Sequence, residues 1–422
     1  MGIAARGRTR FEWTEVHVAA GARLLGHQPL YPNHTPFRYA PFSSALAASF
    51  VSMPVWLSNV VFHLISFVAM IAMVRLSWKL AGGSSLPRDE EKFKREIWIA
   101  ILALLCALRF SFNALSHGQT DLLIGLLLII GATVLVRDRP VLTGICWGFA
   151  AAFKGPPLLL VGYLIWRRHF GGAVAMISAF LAANLFPELV YHAPGTTWLA
   201  CWVHQYFQPL LQPQHMTGTW AVGVLENQSI AGAAHRWLTQ SIQIVQNDLR
   251  FSTRVEAVSP STLRTVVYSS YLLLGIVSAA VMWPPFRFFR TKRSQAEVAR
   301  PVSAIHPYVW EVSIAFCLVL LVSPMSHRSH FCILLVPAMC LARVAVDLRD
   351  QVARVCLVTA IILSLVSYNL PLIPLVNRFA LYLGFVTFTT LSLLIGCWWM
   401  RWKESTITGA RVSCNSPGVP GT

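Results

Sequence analysis

Long apolar runs, separated by short polar stretches, occupy most of this 422-residue chain and limit what it can fold into. Hydrophobic residues make up 55% of the sequence and charged residues only 12%, about half the share that is usual in a soluble domain. A helix that crosses a bilayer needs ~20 consecutive apolar residues, and runs of this kind favour transmembrane helices. The sequence therefore predicts an all-α polytopic membrane protein with about 11 membrane segments, at 55–76, 96–113, 122–136, 140–153, 156–166, 170–192, 264–286, 307–323, 331–346, 354–368 and 378–400.

The basic residues predict how these segments are oriented. A net charge of +17 would suggest a nucleic-acid partner in a soluble protein, but here Lys and Arg collect in loops on one side of the predicted segments. Since such loops usually face the cytoplasm, we assign that side as cytoplasmic and predict no nucleic-acid partner. The polar turns then lie on the other side. We expect a multi-pass protein of the cytoplasmic (inner) membrane that contacts membrane lipids and has its active site facing the exoplasm.

The same segments divide the chain into five parts. These are an exoplasmic interfacial segment, a first set of membrane helices, an exoplasmic loop, a second set of membrane helices and a cytoplasmic tail, at 1–54, 55–192, 193–263, 264–403 and 404–422. An odd number of segments with a cytoplasmic C-terminus leaves the N-terminus outside, yet residues 1–54 contain no apolar stretch of the signal-peptide type. We expect one further membrane helix to precede Met1 in the complete protein.

Two acidic residues near the N-terminus are candidates for proton transfer. Glu12 and Glu15 lie three residues apart in a predicted interfacial helix, which would place both carboxylates on one face. They are either solvated acids of an amphipathic helix or a general base at the membrane surface.

A lysine between two apolar runs is the next candidate. Lys154 precedes Gly155, Pro156 and Pro157, and proline favours the first turn of a helix. A new helix should therefore begin here, with its positive dipole end near the Lys154 ammonium. Such an arrangement suits a phosphate, although a lysine that reaches up to lipid headgroups would show the same pattern.

Three further polar stretches supply neutral and basic groups. In the stretch SHGQTD, His117 and Gln119 suit hydroxyl or phosphate recognition, unless the stretch is an ordinary turn in which Asp121 caps the next helix. In the turn SPMSHRSH, Arg328 and His330 suit an anion, and no carboxylate or cysteine stands beside the histidines, so we predict neither a metal nor a cofactor. The third stretch offers amides for gripping a sugar, or a glycosylation acceptor, at Asn227 and Gln228, followed by Arg236.

Taken in order, these stretches resemble glycosyltransferase family 87, polytopic enzymes that use lipid-linked sugars. The resemblance covers about residues 12–345. It rests on an acid, Ala-Ala, Leu-Leu-Gly and Leu-Tyr, then Tyr-x-Pro, Gly-Gln, Lys-x-x-Pro, Asn-Gln-Ser with a later Arg, and Ser-Pro-x-Ser with a later His. These motifs are Glu12, Ala19–Ala20, Leu24–Leu25–Gly26, Leu30–Tyr31, Tyr39 and Pro41, Gly118–Gln119, Lys154 and Pro157, Asn227–Gln228–Ser229 and Arg236, and Ser323–Pro324, Ser326 and His330.

Two departures from the family pattern concern the site. The family's catalytic residue is an aspartate, but the first aspartate of this chain is Asp89, so Glu12 best occupies the place by spacing and Glu15 is next. The family also carries a Trp and commonly a second His after Ser-Pro-x-Ser. Those positions are His327 and Ser329 here, so only His330 carries over.

The resemblance implies an α-helical bundle that transfers a hexose, mannose first, from a polyprenyl-phosphate donor to a lipid or glycan hydroxyl, with inversion. Glu12 would accept the hydroxyl proton. The residues expected at the donor phosphate are Lys154, Arg328, His330 and Arg236. Those expected at the sugar or acceptor are His117, Gln119, Asn227, Gln228 and Tyr39.

Two other functions use the same residue types. A transporter or flippase of a lipid-linked glycan would need basic and aromatic groups but no base, and its signature would be ionisable residues deep in several segments or matched repeats. Another lipid-linked glycan ligase or polymerase would keep the acid and the cations and change the donor and acceptor.

Overall fold

The computed structural model describes residues 11–32, 35–83, 89–208, 223–239, 258–283, 305–367 and 374–414, and all regular structure in these ranges is helical. A π-helical turn, Trp13–Val18, leads into α1. The α-helices are, in chain order, α1 Ala19–Leu25, α2 Phe42–Ala48, α3 Val55–Leu80, α4 Glu90–Ser116, α5 Asp121–Leu135, α6 Pro140–Phe153, α7 Leu160–Trp166, α8 Phe170–Leu185, α9 Trp198–Trp202, α10 Ile230–Leu238, α11 Pro260–Val281, α12 Pro307–Val322, α13 Leu335–Arg343, α14 Gln351–Val366, α15 Pro374–Tyr382 and α16 Phe385–Cys414.

The all-α membrane class is confirmed, but not the number of spans. Within the described ranges, five helical stretches are long and apolar enough to cross a bilayer, and a sixth is possible if α15 and α16, bent by 60°, form one span. The five are Val55–Leu80, Glu90–Ser116, Phe170–Leu189, Pro260–Val281 and Arg328–Leu348. The other predicted segments fall on apolar helices of 10–17 residues, which reach only about 15–26 Å along their axes.

The predicted break around Lys154 is present. Helix α6 ends at Phe153, Lys154 itself is extended, and a short 3₁₀-helix, Pro156–Leu159, leads into α7. Glycine fixes α6 against α8, because a Cβ on Gly144 would lie 2.0 Å from the Gly172 carbonyl oxygen. This close approach of two backbones is a usual way for apolar helices to pack. It holds the C-terminal end of α6, and so Lys154, in place.

Buried ion pairs join the helix ends distant from Lys154. The Glu311 carboxylate accepts hydrogen bonds from Arg167 Nε at 2.6 Å and from Arg401 Nε at 2.9 Å, and all three side chains are buried. Arg343 donates to both oxygens of Glu96, at 3.1 and 2.6 Å. Arg167, Arg343 and Arg401 are among the basic residues on the side that the sequence assigns to the cytoplasm. In the structure they also neutralise carboxylates inside the bundle, so these ionisable groups in the helices belong to the scaffold.

Helix α16 continues past residue 403, into the segment that the sequence assigned to a cytoplasmic tail. There Glu404 is buried and accepts a hydrogen bond from Trp310 Nε1 at 3.2 Å. Helix α16 is therefore packed into the bundle as far along as Glu404.

Candidate active site

The N-terminal segment is anchored to α3 and to the end of α4, and this anchoring positions Glu12. The backbone N–H of Glu12 donates to the His117 carbonyl oxygen at 2.9 Å. Next to it, Trp13 stacks on Phe62 with ring centroids 4.0 Å apart and donates to Ser58 Oγ at 3.2 Å. A buried aromatic side chain with its N–H satisfied is a firm anchor.

The Glu12 carboxylate is bound by two of the other predicted site residues. The Tyr39 hydroxyl donates to Oε1, and Gln119 Nε2 donates to Oε2 at 2.7 Å. Burial raises the pKa of the Glu12 carboxyl above its ordinary value, while Lys154 and the Gln119 hydrogen bond oppose that change. A raised pKa makes a carboxylate a stronger base, which is a property that a general base needs.

Lys154 is held in an ion pair that the sequence did not predict. Its Nζ donates to both oxygens of Asp121 at 2.9 Å and lies 3.1 Å from His330 Nε2. Ser329 Oγ donates to Asp121 Oδ2 at 2.7 Å. The side chains of Asp121 and Lys154 are 3% and 13% exposed. Asp121 lies in the first turn of α5 without capping it; its carboxylate instead carries the charge opposite Lys154.

Glu12 with its two hydrogen-bond donors and the Asp121–Lys154 ion pair form one cluster, because Lys154 also contacts Tyr39. The ammonium lies 5.1 Å from the centroid of the Tyr39 ring, whose hydroxyl contacts Glu12. The site cluster is therefore defined by Glu12, Tyr39, Gln119, Asp121, Lys154, Ser329 and His330. It brings together residues from the N-terminal segment, the loop before α2, the turn between α4 and α5, the end of α6 and the turn after α12.

Two further histidines, His117 and His327, lie next to this cluster. His117 and His327 have ring centroids 6.5 Å apart, and His327 and His330 are 6.4 Å apart. Burial lowers the pKa of His327 well below its ordinary value, which favours the neutral ring. The His117 side chain is exposed, and its Nδ1 lies 2.8 Å from the Asn113 carbonyl oxygen.

His17 is a residue of this region that sequence reasoning missed. It is fully buried, its ring centroid lies 4.3 Å from that of Tyr39, and neither ring nitrogen has a hydrogen-bond partner among the described residues. Burial, followed by Lys154, lowers the pKa of His17 to about 3. A neutral imidazole with unused polar atoms thus lies behind the Tyr39 ring. The feature of the sequence that could have identified His17 is its spacing, about one helical turn after Glu12 and Trp13.

Two of the predicted site residues, Glu15 and Arg328, are not members of the site cluster. The Glu15 side chain is exposed, whereas Glu12 is partly buried in the cluster, so the two carboxylates differ in environment despite their three-residue spacing. Arg328 is partly buried next to His327. Its Nε has no hydrogen-bond partner in the described part of the chain, and Glu226 is the carboxylate that acts on it electrostatically.

The predicted sugar-binding amides and Arg236 hydrogen bond with backbone groups of the protein. Asn227 Oδ1 accepts from the backbone N–H groups of Ser229 and Ser326, at 3.2 and 3.1 Å. Gln228 Nε2 donates to the carbonyl oxygens of Leu225 and Leu381, at 2.6 and 2.9 Å. Both side chains are buried.

Arg236 has a similar role. Its guanidinium donates to the carbonyl oxygens of Tyr382, Val224 and Asn227, at 3.0, 3.0 and 2.6 Å. Burial lowers its pKa to about 10, so it stays charged at neutral pH. Three bonds to backbone oxygens indicate a scaffold role, which argues against contact with a donor phosphate.

The positive charge near Glu12 comes from side chains of the protein itself. Among the described residues, no group of three or more His, Cys, Asp or Glu side chains is arranged to hold a metal ion. A hydrogen-bonded carboxylate and a lysine ammonium on either side of one tyrosine ring can accept a proton and bind an anion.

The chain is similar to known proteins of one family. A family model described as glycosyltransferase family 87 matches residues 37–324, a range that contains Tyr39, Gln119, Asp121 and Lys154. Glu12 and His330 lie outside the matched range.

Two curated relatives from Mycobacterium tuberculosis are similar to this chain. A polyprenol-phosphate-mannose-dependent alpha-(1-2)-phosphatidylinositol pentamannoside mannosyltransferase of strain CDC 1551 / Oshkosh is 26% identical over 59% of this chain and 54% of its own length. A polyprenol-phosphate-mannose-dependent alpha-(1-2)-phosphatidylinositol mannoside mannosyltransferase of strain H37Rv is 23% identical over 64% of each chain. The chain therefore spans less than two thirds of the length of either relative. No solved structure matches it. Because the family model covers more than half of the sequence, the chain belongs to glycosyltransferase family 87.

Proposed function

We propose that this protein transfers a hexose, with mannose favoured, from a polyprenyl-phosphate donor to a hydroxyl of a lipid or glycan acceptor, with inversion at the anomeric carbon. The family is that of glycosyltransferases, and the curated relatives are polyprenol-phosphate-mannose-dependent mannosyltransferases. Because those relatives act on phosphatidylinositol mannosides, a mannosylated phosphatidylinositol is the first acceptor to test.

In the proposed reaction, Glu12 removes the proton from the acceptor hydroxyl while its oxygen attacks the anomeric carbon. The bond between that carbon and the phosphate oxygen breaks, and polyprenyl monophosphate leaves. A single displacement of this kind inverts the configuration. The hydrogen bonds from Tyr39 and Gln119 hold the carboxylate in a fixed orientation, and a positioned base of this type typically contributes ~10²–10⁴-fold to a rate.

Lys154 offsets the charge of the leaving phosphate, and Asp121 positions it. A lysine has three N–H donors, and here two point to Asp121 and the third to His330 Nε2. When the donor enters, a phosphate oxygen replaces His330 as the third acceptor, and the freed imidazole turns towards the phosphate as a donor. With both carboxylates ionised, the cluster has two negative charges and one positive charge, so Arg328 is assigned the second positive charge.

The observation that carries this proposal is the cluster itself. One tyrosine side chain contacts both the candidate base, through its hydroxyl, and the candidate phosphate ligand, through its ring. A sugar–phosphate bond placed over Tyr39 would have the base on one side and the cation on the other. We further propose that this cluster faces the exoplasm of the cytoplasmic membrane, because the predicted cytoplasmic arginines 167, 343 and 401 lie at helix ends distant from Lys154.

The test is to incubate membranes that contain the protein with labelled polyprenyl-phosphomannose and a phosphatidylinositol mannoside, and to follow the label. We expect it in the acceptor, linked with the opposite anomeric configuration. Label that reaches the other leaflet still on its polyprenyl phosphate would overturn the transferase assignment and favour the flippase. Label incorporated only when another lipid-linked glycan is the donor would favour a ligase or polymerase.

A further inference from the structure

An apolar groove with a volume of about 320 Å³ lies between α7, α11 and α12. Leu159, Gly162, Gly275, Leu318 and Val322 are among the residues that line it. Most of its lining is apolar. Ser278 Oγ accepts from Trp398 Nε1 at 3.0 Å and the Tyr163 hydroxyl donates to Glu311 at 3.3 Å, whereas Trp166 Nε1 has no hydrogen-bond partner among the described residues. The groove is therefore suited to a hydrocarbon ligand.

Two glycines leave room in this groove that the protein itself does not fill. A Cβ added at Gly162 on α7, or at Gly275 on α11, would have no heavy atom within 4 Å. Glycines elsewhere in the bundle differ, because a Cβ at Gly144 or Gly148 on α6 would collide with backbone oxygens of α8. The α6 glycines serve helix packing. Those in the groove leave open space, which costs dispersion contacts unless a ligand occupies it.

The groove runs from the site cluster towards the buried ion pairs. Helix α7 begins six residues after Lys154, and α12 ends five residues before His327, whose neighbour His330 contacts Lys154 at 3.1 Å. At the other end, Arg167 and Glu311 join the opposite ends of the same two helices. The groove residues from Leu159 to Trp166 span two helical turns, or about 10 Å.

We propose that this groove binds the first isoprene units of the polyprenyl chain of the donor, an inference that rests on the proposed function. The occupant follows from where the groove starts. In the donor, the hydrocarbon chain is joined directly to the phosphate, so it must leave the site next to Lys154 and His330. The acyl chains of a glycolipid acceptor are separated from the reacting hydroxyl by the sugar and the headgroup, so they have no need of a groove at this point.

Two space-filling variants test the proposal. In Gly162→Phe and Gly275→Phe the new Cβ would have no heavy atom within 4 Å, so the side chain has open groove to enter, and replacement of a helical glycine favours the helix. We expect the KM for a long-chain polyprenyl-phosphomannose to rise about tenfold or more, because several buried methylene groups are lost, with little change in kcat. The KM for a donor with a single isoprene unit, which is too short to fill the groove, should change little.

Leu273→Phe is the matched control, because Leu273 lies on α11 outside the groove and is 61% exposed. We expect wild-type kinetics from it, and equal thermal unfolding temperatures for all three variants. A readout without turnover is photolabelling by a polyprenyl phosphate with a diazirine on the isoprene unit next to the phosphate. It should mark α7, α11 or α12 in the wild type and lose that label in both glycine variants.

The possible failures are distinguishable. Unchanged KM values in folded Gly162→Phe and Gly275→Phe, or photolabel confined to other helices, would overturn the groove assignment and leave transferase activity untouched. If the wild type transfers mannose from no donor of any chain length, the proposed function fails. Photolabelling of α7, α11 or α12 that is lost in both glycine variants would then still support a polyprenyl-phosphate groove.

Discussion

The Asp121–Lys154 ion pair gives a prediction whose size can be worked out from the structure. Asp121 is 3% exposed and Lys154 is 13% exposed, so removal of either partner leaves a charge with little access to water. Removing one member of a buried pair typically costs ~3–5 kcal/mol of folding free energy. Asp121→Asn should fall at the low end, ~3 kcal/mol, because the freed ammonium can reach towards water on its flexible stem.

Lys154→Met should cost more, because it leaves the Asp121 carboxylate with Ser329 Oγ as its remaining side-chain donor. We expect ~4–5 kcal/mol for this variant. The double variant Asp121→Asn/Lys154→Met contains no unpaired charge at this position. Its cost should be smaller than the sum of the two single costs by ~2–3 kcal/mol, within the range measured for residues in direct contact.

The assay is thermal unfolding of the detergent-solubilised protein, followed by tryptophan fluorescence, for the wild type and the three variants. Mannose transfer is measured on the same samples. The single variants should unfold at clearly lower temperatures, and the double variant should recover part of the loss without recovering transfer. Costs that simply add would show that the two groups do not interact, and would refute the view that Asp121 positions Lys154.

Three further predictions concern residues around this pair and in the scaffold. Gln119→Leu removes a hydrogen bond that lowers the Glu12 pKa, so the acidic limb of the pH profile of kcat/KM should move to higher pH, since the base is active only above its pKa. Arg236→Met should lower the unfolding temperature and leave the donor KM within about twofold, because its bonds go to backbone oxygens. Glu311→Gln should cost ~3–5 kcal/mol of stability, because two buried arginines lose their carboxylate; a wild-type unfolding temperature would contradict this.

The sequence predicts much of the site but not the partners of its charges. Proline chemistry identified the helix break after Lys154, and the motif order brought Glu12, Tyr39 and Gln119 together as candidates. For Asp121, the aspartate of the turn at His117 and Gln119, the sequence suggested a helix cap as one alternative, because a carboxyl at the start of a helix usually has that role. Only the three-dimensional packing of α5 against the turn after α12 shows that it faces Lys154 and Ser329.

The amides and Arg236 show a different limit. Polar side chains in a loop on the predicted exoplasmic side suggest ligand binding, but an irregular loop packed against helices also needs donors for its own backbone oxygens. Asn227, Gln228 and Arg236 meet that need. Sequence alone does not separate the two uses. The difference between the predicted number of membrane segments and the number of long apolar helices has a related cause. A short apolar helix can be buried by its neighbours and need not cross a bilayer by itself.

The central claim is that the Glu12 carboxylate is the base. The most direct test compares donor binding and mannose transfer in Glu12→Gln, whose amide keeps the size of the side chain and can still hydrogen bond with Tyr39 and Gln119. We expect transfer to fall by about 10³-fold or more while the Kd for polyprenyl-phosphomannose stays within about threefold, and we expect Glu15→Gln to remain near the wild type. Transfer by Glu12→Gln within about threefold of the wild-type rate would contradict the central claim.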